Sequence, residues 1–355
     1  MEKKYYTLYR QIKEKILKGE YPSEKKIPSK RVMAEQTGYS IVTVERAYGM
    51  LEDEGYIVSR ERSGYTVCRI DSGLAGSREQ GNTPITRLSE ETEENTQDFE
   101  YSVWFKTVRK VISEEGDRLF VKAPNRGCPV LRNAIAEYLG RYRGMTADPE
   151  RIIIGSGSEQ LYETAVKLLG RDRVVGIEDP SYEQISLVYR GMGVKLCHLA
   201  MGKEGIEEDA LWGNAFDVLH VTPFHSYPSG VTTSIAKRYE YLKWAEGTGR
   251  YIIEDDFDSE MFMRGNPIES LYSLDRSQSV LYINTFSKSL SPSMRIGYMI
   301  LPEHLMERYE ESLGMFSCSV PVMDQYILAE FIRSGSFERH LNRARRKSKR
   351  AEQKG

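Results

Sequence analysis

In the stretch YINTFSKSLSPSMRIGY, residues 282–298, one lysine, Lys288, sits among small hydroxyl residues just past an apolar run, and Arg295 follows seven positions later. Lysines mostly lie on solvated faces, but a lysine poised at a strand end can offer its amine to an aldehyde. Other segments carry complementary groups. GSGSEQ (155–160) offers the backbone N–H groups of Gly157, Ser158 and Glu159 at the start of a helical run, where the helix dipole favours an anion. Thr285 and Arg295 can add a hydroxyl and a bidentate cation. Asp255, near the end of YIIEDD, can keep a pyridine nitrogen protonated so that the ring acts as an electron sink. Asp256, the next residue, points to the opposite face. Tyr182 of EDPSY is a flat neighbour on which such a ring can stack. Together these groups suit a phosphorylated aldehyde built on a pyridine. Each alone has a plainer use: the GxG turn is common, Asp255 could cap a helix, Tyr182 could fill a core, and Lys288 could be a surface lysine. Their shared place at strand ends is what argues for a site.

Those strand ends belong to residues 101–355, where apolar runs and helical segments alternate. RIIIGSGSEQLYETAVKLL reads as strand, tight turn and helix. RVVGIEDPSY, FDVLHVTP, YIIEDDFDSE and VLYINTFSK are apolar runs that end in polar residues. The pattern predicts an α/β three-layer body with a mostly parallel sheet covered on both sides, its ligands gathered at the carboxyl ends of the strands.

A chain of 355 residues is too long for one ordinary core, so two or more domains are expected. It has no apolar run of membrane-spanning length and no signal peptide at its start. Its four cysteines lack CxxC spacing, which suggests reduced thiols in the cytoplasm rather than disulfides or zinc. Charge is uneven: residues 1–70 hold 14 Lys/Arg against 10 Asp/Glu, and residues 71–100 hold 2 against 8. The acidic stretch is rich in Gly, Ser, Thr and Glu and has no period, so it reads as a flexible linker, either a tether that carries motion or a passive spacer.

The basic head has its own order. LYRQIKEKILKGEY sets Leu8, Ile12, Ile16 and Leu17 on one helical stripe, ended by Gly19 and Pro22. Ser29 can cap a second helix that Gly38 terminates, and Ser40 a third, IVTVERAYGMLEDEG. YIVSRERSGYTV follows as two short strands around Ser63-Gly64. Three helices and a wing describe a winged helix-turn-helix, whose third helix enters the major groove. Ser40, Thr43 and Arg46 can reach phosphates or base edges, and Lys30, Arg31, Arg60 and Arg62 can meet phosphates. A small helical interaction domain would share the same pattern.

LYRQI, IPSKR, TVERAY, LEDEGYI and SGYTV resemble the GntR family of winged-helix repressors. PVLRNAIAEYL (129–139), EDPSY, VTPFHSYPSG, IIEDDFDSE and TFSKSLSPSMRIGY look like a fold-type I aminotransferase. The combination is similar to the MocR/GabR-type transcriptional regulators. That resemblance implies pyridoxal 5'-phosphate carried by Lys288, its ring nitrogen paired with Asp255 and its phosphate held by Arg295. It also implies operator DNA and a small amino-compound effector as partners, and head-to-tail homodimers with swapped winged helices.

The chain departs from the pattern in five places. Ile41 and Val42 stand where members often carry Arg and a polar residue. Phe257 replaces a tyrosine whose hydroxyl meets the cofactor, a bond for which Tyr227 of HSYPSG is the candidate substitute. Lys122 stands for a tyrosine that reaches the partner's phosphate. Gln184 stands for an arginine that holds the effector carboxylate in GABA-responsive members, which disfavours GABA here. The chain stops in RHLNRARRKSKRAEQKG, whereas members continue for on the order of a hundred residues, so a truncated chain without most of the small domain is expected. The basic tail reads as a solvated helix end. Three functions compete: a DNA-binding regulator that senses an amino compound through pyridoxal phosphate, a DNA-binding dimer with a degenerate, cofactor-free body, and a working aminotransferase, which the missing carboxylate clamp argues against.

Overall fold

The structure, a computed structural model, describes residues 4–60, 64–69, 101–257, 259–262 and 269–352. Arg62, Ser63 and the expected linker lie outside the described residues, as does the side chain of Arg60. The chain divides into two compact units, Met1–Thr92 and Glu93–Gly355.

In the first unit, α1 (Lys4–Leu17) buries Leu8, Tyr9, Ile12 and Ile16. Leu17, expected on that stripe, is 50% exposed. It sits about 100° around the helix from Ile16, and Tyr9 takes the buried place with its hydroxyl donating to Glu54 at 2.7 Å. The caps form where small hydroxyl residues precede helical runs. Ser29 Oγ accepts from the Val32 N–H at 3.4 Å and starts α2 (Lys30–Thr37). Gly38 ends that helix at φ +71°, in the left-handed region that glycine adopts without a Cβ penalty. Ser40 Oγ accepts from the Thr43 N–H at 3.3 Å and starts α3 (Ile41–Asp53). Each such cap contributes about 1 kcal/mol. α3 packs Val44, Ala47, Tyr48 and Leu51 inward. β1 (Ile57–Arg60) and β2 (Gly64–Val67) pair antiparallel as the wing.

The second unit begins with α4 (Tyr101–Glu115) and α5 (Pro129–Tyr138). Then β3 (Ile152–Gly155), α6 (Ser158–Leu169), β4 (Val175–Asp179) and α7 (Glu183–Gly191) alternate. Six more strands follow: β5 (Leu196–Gly202), β6 (Gly205–Ile206), β7 (Val218–Val221), β8 (Tyr251–Asp255), β9 (Val280–Thr285) and β10 (Gly297–Ile300). They form one eight-stranded sheet in the order β3-β10-β9-β8-β7-β4-β5-β6. The run β9-β8-β7-β4-β5 is parallel, β10 is antiparallel to both its neighbours, and β6 is antiparallel to β5. Alternate residues leave opposite faces. Ile153, Ile253, Leu281 and Ile283 pack beneath α6 and α7, whereas Ile152, Ile154, Tyr282 and Tyr298 pack against α5 and the helix Val322–Arg333. Each fully buried Leu, Ile or Val contributes about 1.5–3 kcal/mol, so the sheet is held rigidly from both sides. No described helix is long and apolar enough to cross a membrane. The terminal basic segment forms the helix Ser336–Glu352.

The face away from α6 carries a buried polar cluster. Arg143 Nη2 lies 2.6 Å from Asp256 Oδ2, which also accepts from the Tyr282 hydroxyl at 2.6 Å. Asn284 donates to Glu260 Oε1 at 2.8 Å. Asp256 Oδ1 and Glu260 Oε2 have no hydrogen-bond partner among the described residues. Burial, reinforced by the charge of Asp256, pushes Glu260 upward. The same two causes push Glu254 up to about 7, although it accepts the Leu271 and Tyr272 N–H groups at 2.9 and 2.8 Å. A carboxyl raised in the folded state binds more protons there than in the unfolded chain. Its contribution is complete below the unfolded value of 4.5 and is lost as pH rises through the folded one, here toward about pH 7. Glu260→Gln is therefore expected to raise stability at pH 8 by about 1–2 kcal/mol, a few degrees in Tm, and to change little at pH 5. Thermal unfolding at the two pH values checks this, and an equal shift at both would contradict it.

Candidate functional site

Because β3, β9, β8, β7 and β4 run in one direction, their carboxyl ends open together on a cavity of about 400 Å³. The antiparallel β10 brings its entry end to the same edge, and with it Arg295. Thr285 stands at the last position of β9, buried, and lines the cavity. Lys288 lies three residues later in the turn, exposed into the cavity. Its Nζ is 5.3 Å from the centroid of the Phe257 ring. Phe257, which stands where the resembled pattern carries a tyrosine, thus presents an apolar ring face to the amine.

Ser156 and Gly157 turn β3 into α6, which starts at Ser158. Gly157 has φ +95°, and a Cβ there would stand 2.8 Å from Arg295 Nη2, so the guanidinium lies directly over the bare backbone. Arg295 also pairs with the Glu159 carboxylate at 2.7 Å. Glu159 was expected to contribute only its N–H; its side chain adds a negative charge that an incoming anion must displace from Arg295. Tyr182 precedes α7 at the cavity mouth, half exposed, with Tyr227 edge-on to it at 6.0 Å. Gln184 lines the same cavity, whereas Lys122 is exposed and does not line it.

Asp255, the last residue of β8, is buried and faces this cavity, while Asp256 leaves the other face to meet Arg143. Asp255 Oδ2 accepts from the Tyr162 hydroxyl. His220 Nε2 stands 3.8 Å from the same oxygen, and His220 Nδ1 is 2.7 Å from the Tyr189 hydroxyl. Burial and the neighbouring Asp255 charge push the Tyr162 phenol well above its ordinary value, so it remains a donor. Asp255 Oδ1 is buried without a partner among the described residues. Neither Tyr162 nor His220 was expected from the sequence. The available signals were a tyrosine four residues into the helix that follows GSGS, and a lone histidine inside the apolar strand VLHV.

Two observations make the site fit a pyridine phosphate. Asp255, a wall residue, holds one carboxylate oxygen buried with no partner among the described residues, which is costly unless a charged or donating group meets it. A glycine at a helix start leaves backbone bare beneath an arginine.

In the first unit, α2 and α3 bring Lys30, Arg31, Ser40, Thr43 and Arg46 onto one helix-turn-helix. Lys30 pairs with Glu45, the hydroxyls of Ser40 and Thr43 lie 2.9 Å apart, and Arg46 lies 5.9 Å from the Tyr5 ring centroid.

Residues 4–67 match the bacterial regulatory proteins of the gntR family, and residues 92–354 match aminotransferase class I and II. The HTH-type transcriptional regulator YdeL of Bacillus subtilis is 37% identical over 96% of this chain and 76% of its own length. The probable rhizopine catabolism regulatory protein MocR of Rhizobium meliloti is 28% identical, over 96% of this chain and 73% of that protein. The chain belongs to the MocR-type regulators. The pyridoxine biosynthesis transcriptional regulator PdxR of Corynebacterium glutamicum is 27% identical over 96% of this chain and 75% of its own. Among solved structures, LysN, an α-aminoadipate aminotransferase of Thermus thermophilus, is 26% identical with a TM-score of 0.63. That match covers 71% of this chain and 65% of LysN. An archaeal alanine:glyoxylate aminotransferase is 25% identical with a TM-score of 0.62, covering 69% and 63%. This MocR-type regulator thus spans about three quarters of its curated relatives and just under two thirds of those aminotransferases. It is a DNA-binding transcriptional regulator that carries an aminotransferase-like domain.

Proposed function

We propose that this regulator binds operator DNA through residues 1–70 and holds pyridoxal 5'-phosphate at Lys288 to sense a small amino compound. Residues 71–100 serve as the linker and 101–355 as the sensor body. The observation that carries this reading is the unpartnered, buried Asp255 oxygen in a cavity that Lys288 also lines. LysN was solved in complex with N-(5'-phosphopyridoxyl)-L-leucine, which supports the choice of cofactor.

Lys288 supplies the amine that anchors the cofactor, and Asp255 meets its ring nitrogen, with Tyr162 holding the carboxylate in place. Arg295, Thr285 and the N–H groups of Gly157, Ser158 and Glu159 meet the phosphate, while Tyr182 covers the ring. When bound, the cofactor supplies an aldehyde that amines can compete for and a ring that withdraws electrons. Phe257 gives no hydroxyl and sets its ring 5.3 Å from the Lys288 amine. Gln184, a neutral side chain, leaves no fixed cation at its position for an effector carboxylate. The protein works in the cytoplasm as a homodimer with swapped winged helices and catalyses no transamination.

A second reading, a cofactor-free DNA-binding dimer, has one observation in its favour: Arg295 is already paired with Glu159. The test is the affinity of the cofactor-loaded full chain for a duplex selected from a random DNA pool, measured across a panel of amino compounds. At least one amine is expected to change that affinity about fivefold or more. DNA binding that no amine alters, in protein shown to carry the cofactor, would contradict the sensor.

A further inference from the structure

The residues at the tip of α3 do not serve the fold. The buried face of this helix consists of Val44, Ala47, Tyr48 and Leu51. Ile41 and Val42, at its first two positions, are 50% and 62% exposed. β-Branched residues are mediocre helix formers and cap nothing. Two adjacent aliphatic side chains standing in water at a helix start therefore lack a structural cause.

The polar residues around them are engaged within the unit. Ser40 accepts the Thr43 N–H, and the two hydroxyls lie within 2.9 Å of each other. Lys30 is bound to Glu45, and Arg46 lies over Tyr5. Their remaining reach suits phosphates, which are charged and accept from any direction. At the point of α3 that meets base edges in this class of fold, the first two side chains, Ile41 and Val42, are exposed hydrocarbon.

The major groove offers one alkyl group, the 5-methyl of thymine; guanine and adenine present donors and acceptors there, and cytosine its amino donor beside a bare C5–H. An aliphatic side chain set against those edges would strip their water and return no hydrogen bond. Resting on the DNA-binding reading above, we infer that Ile41 and Val42 read thymine 5-methyl groups in the major groove, so that the operator half-site carries one or two thymines under the start of α3. Specificity at these positions comes from a methyl contact rather than from a hydrogen-bonded base pair.

The test uses the full chain and a duplex pool with a randomised central segment. The most enriched duplex is resynthesised with deoxyuridine in place of thymidine, one position at a time, which removes the methyl and leaves the base pairing intact. Wild-type protein is expected to lose about fourfold in affinity at one or two positions per half-site. The double variant Ile41→Ala/Val42→Ala, in which both changes are on exposed positions, should bind the thymine and uracil duplexes equally well, with an unchanged circular dichroism spectrum. Indifference of the wild type to every uracil, or an equal loss in the double variant, would overturn the inference while leaving DNA binding intact. A pool that yields no enriched sequence would remove the DNA reading itself, and the inference with it.

Discussion

Arg143→Met is expected to destabilise the protein by about 3–5 kcal/mol, the usual effect of removing one partner of a buried ion pair. Arg143 and Asp256 are both almost fully buried and 2.6 Å apart. Methionine fills the volume but leaves the Asp256 carboxylate with neutral hydroxyl partners, Tyr282 and Ser259, and no cation, while its Oδ1 has no partner among the described residues to begin with. Burial already raises Asp256, and the arginine is the main group that opposes this. For a body of this size the loss corresponds to roughly 10 °C in Tm. Asp256→Asn in the same background should recover part of it, because it removes the uncompensated charge. Thermal unfolding of the full chain measures both. A change under about 1 kcal/mol for Arg143→Met would mean that the pair does not hold the end of β8. The pair lies next to the site, since Asp255 and Asp256 are consecutive and leave opposite faces of that strand.

Asp255→Asn tests the wall of the cavity itself. Asparagine preserves the shape and can still accept the Tyr162 hydroxyl, so the fold should persist. It cannot give a protonated ring nitrogen a negative partner. Hydrogen bonds to charged groups contribute about 1.5–3 kcal/mol, so the dissociation constant for pyridoxal phosphate should rise roughly ten- to a hundredfold. Equilibrium titration followed by absorbance reads it. An unchanged constant would remove Asp255 from the cofactor's contacts.

Features set by neighbours along the chain were readable in advance. Ser29 and Ser40 cap helices because a hydroxyl one residue before a helix reaches an N–H three positions on, and Gly38 ends one because only glycine takes that φ freely. Apolar runs ending in polar residues marked β3, β4, β7, β8 and β9, and parallel order made their ends converge, which is why residues as far apart as Ser158 and Lys288 line one cavity. Contacts made across the fold were not readable. Tyr162 and Asp255 are 93 positions apart, and nothing local in EQLYETA says that its tyrosine is a donor to a carboxylate. Arg143 is 113 positions from Asp256 and sits in RYRGM, which reads as surface. His220 is hidden inside an apolar strand, where a histidine gives no sign of its partner. Leu17 failed for a simpler reason: adjacent residues cannot share a narrow helical stripe, and Tyr9, with an apolar ring and a hydroxyl that reaches Glu54, closes the core better.

The central claim is that Lys288 holds pyridoxal phosphate covalently, and the visible absorption spectrum of the purified chain with added cofactor tests it most directly, with Lys288→Ala measured alongside. Lys288 is exposed at a turn, with its amine over the Phe257 ring, and belongs to no buried cluster, so the variant should fold as the wild type does. The wild type is expected to show a visible band that persists on gel filtration and to give, after borohydride, a cofactor adduct on the peptide containing Lys288. The variant should show neither. A folded wild type with no band, or a variant that keeps the band, would contradict the account and leave a DNA-binding protein whose aminotransferase-like body holds no cofactor at this lysine.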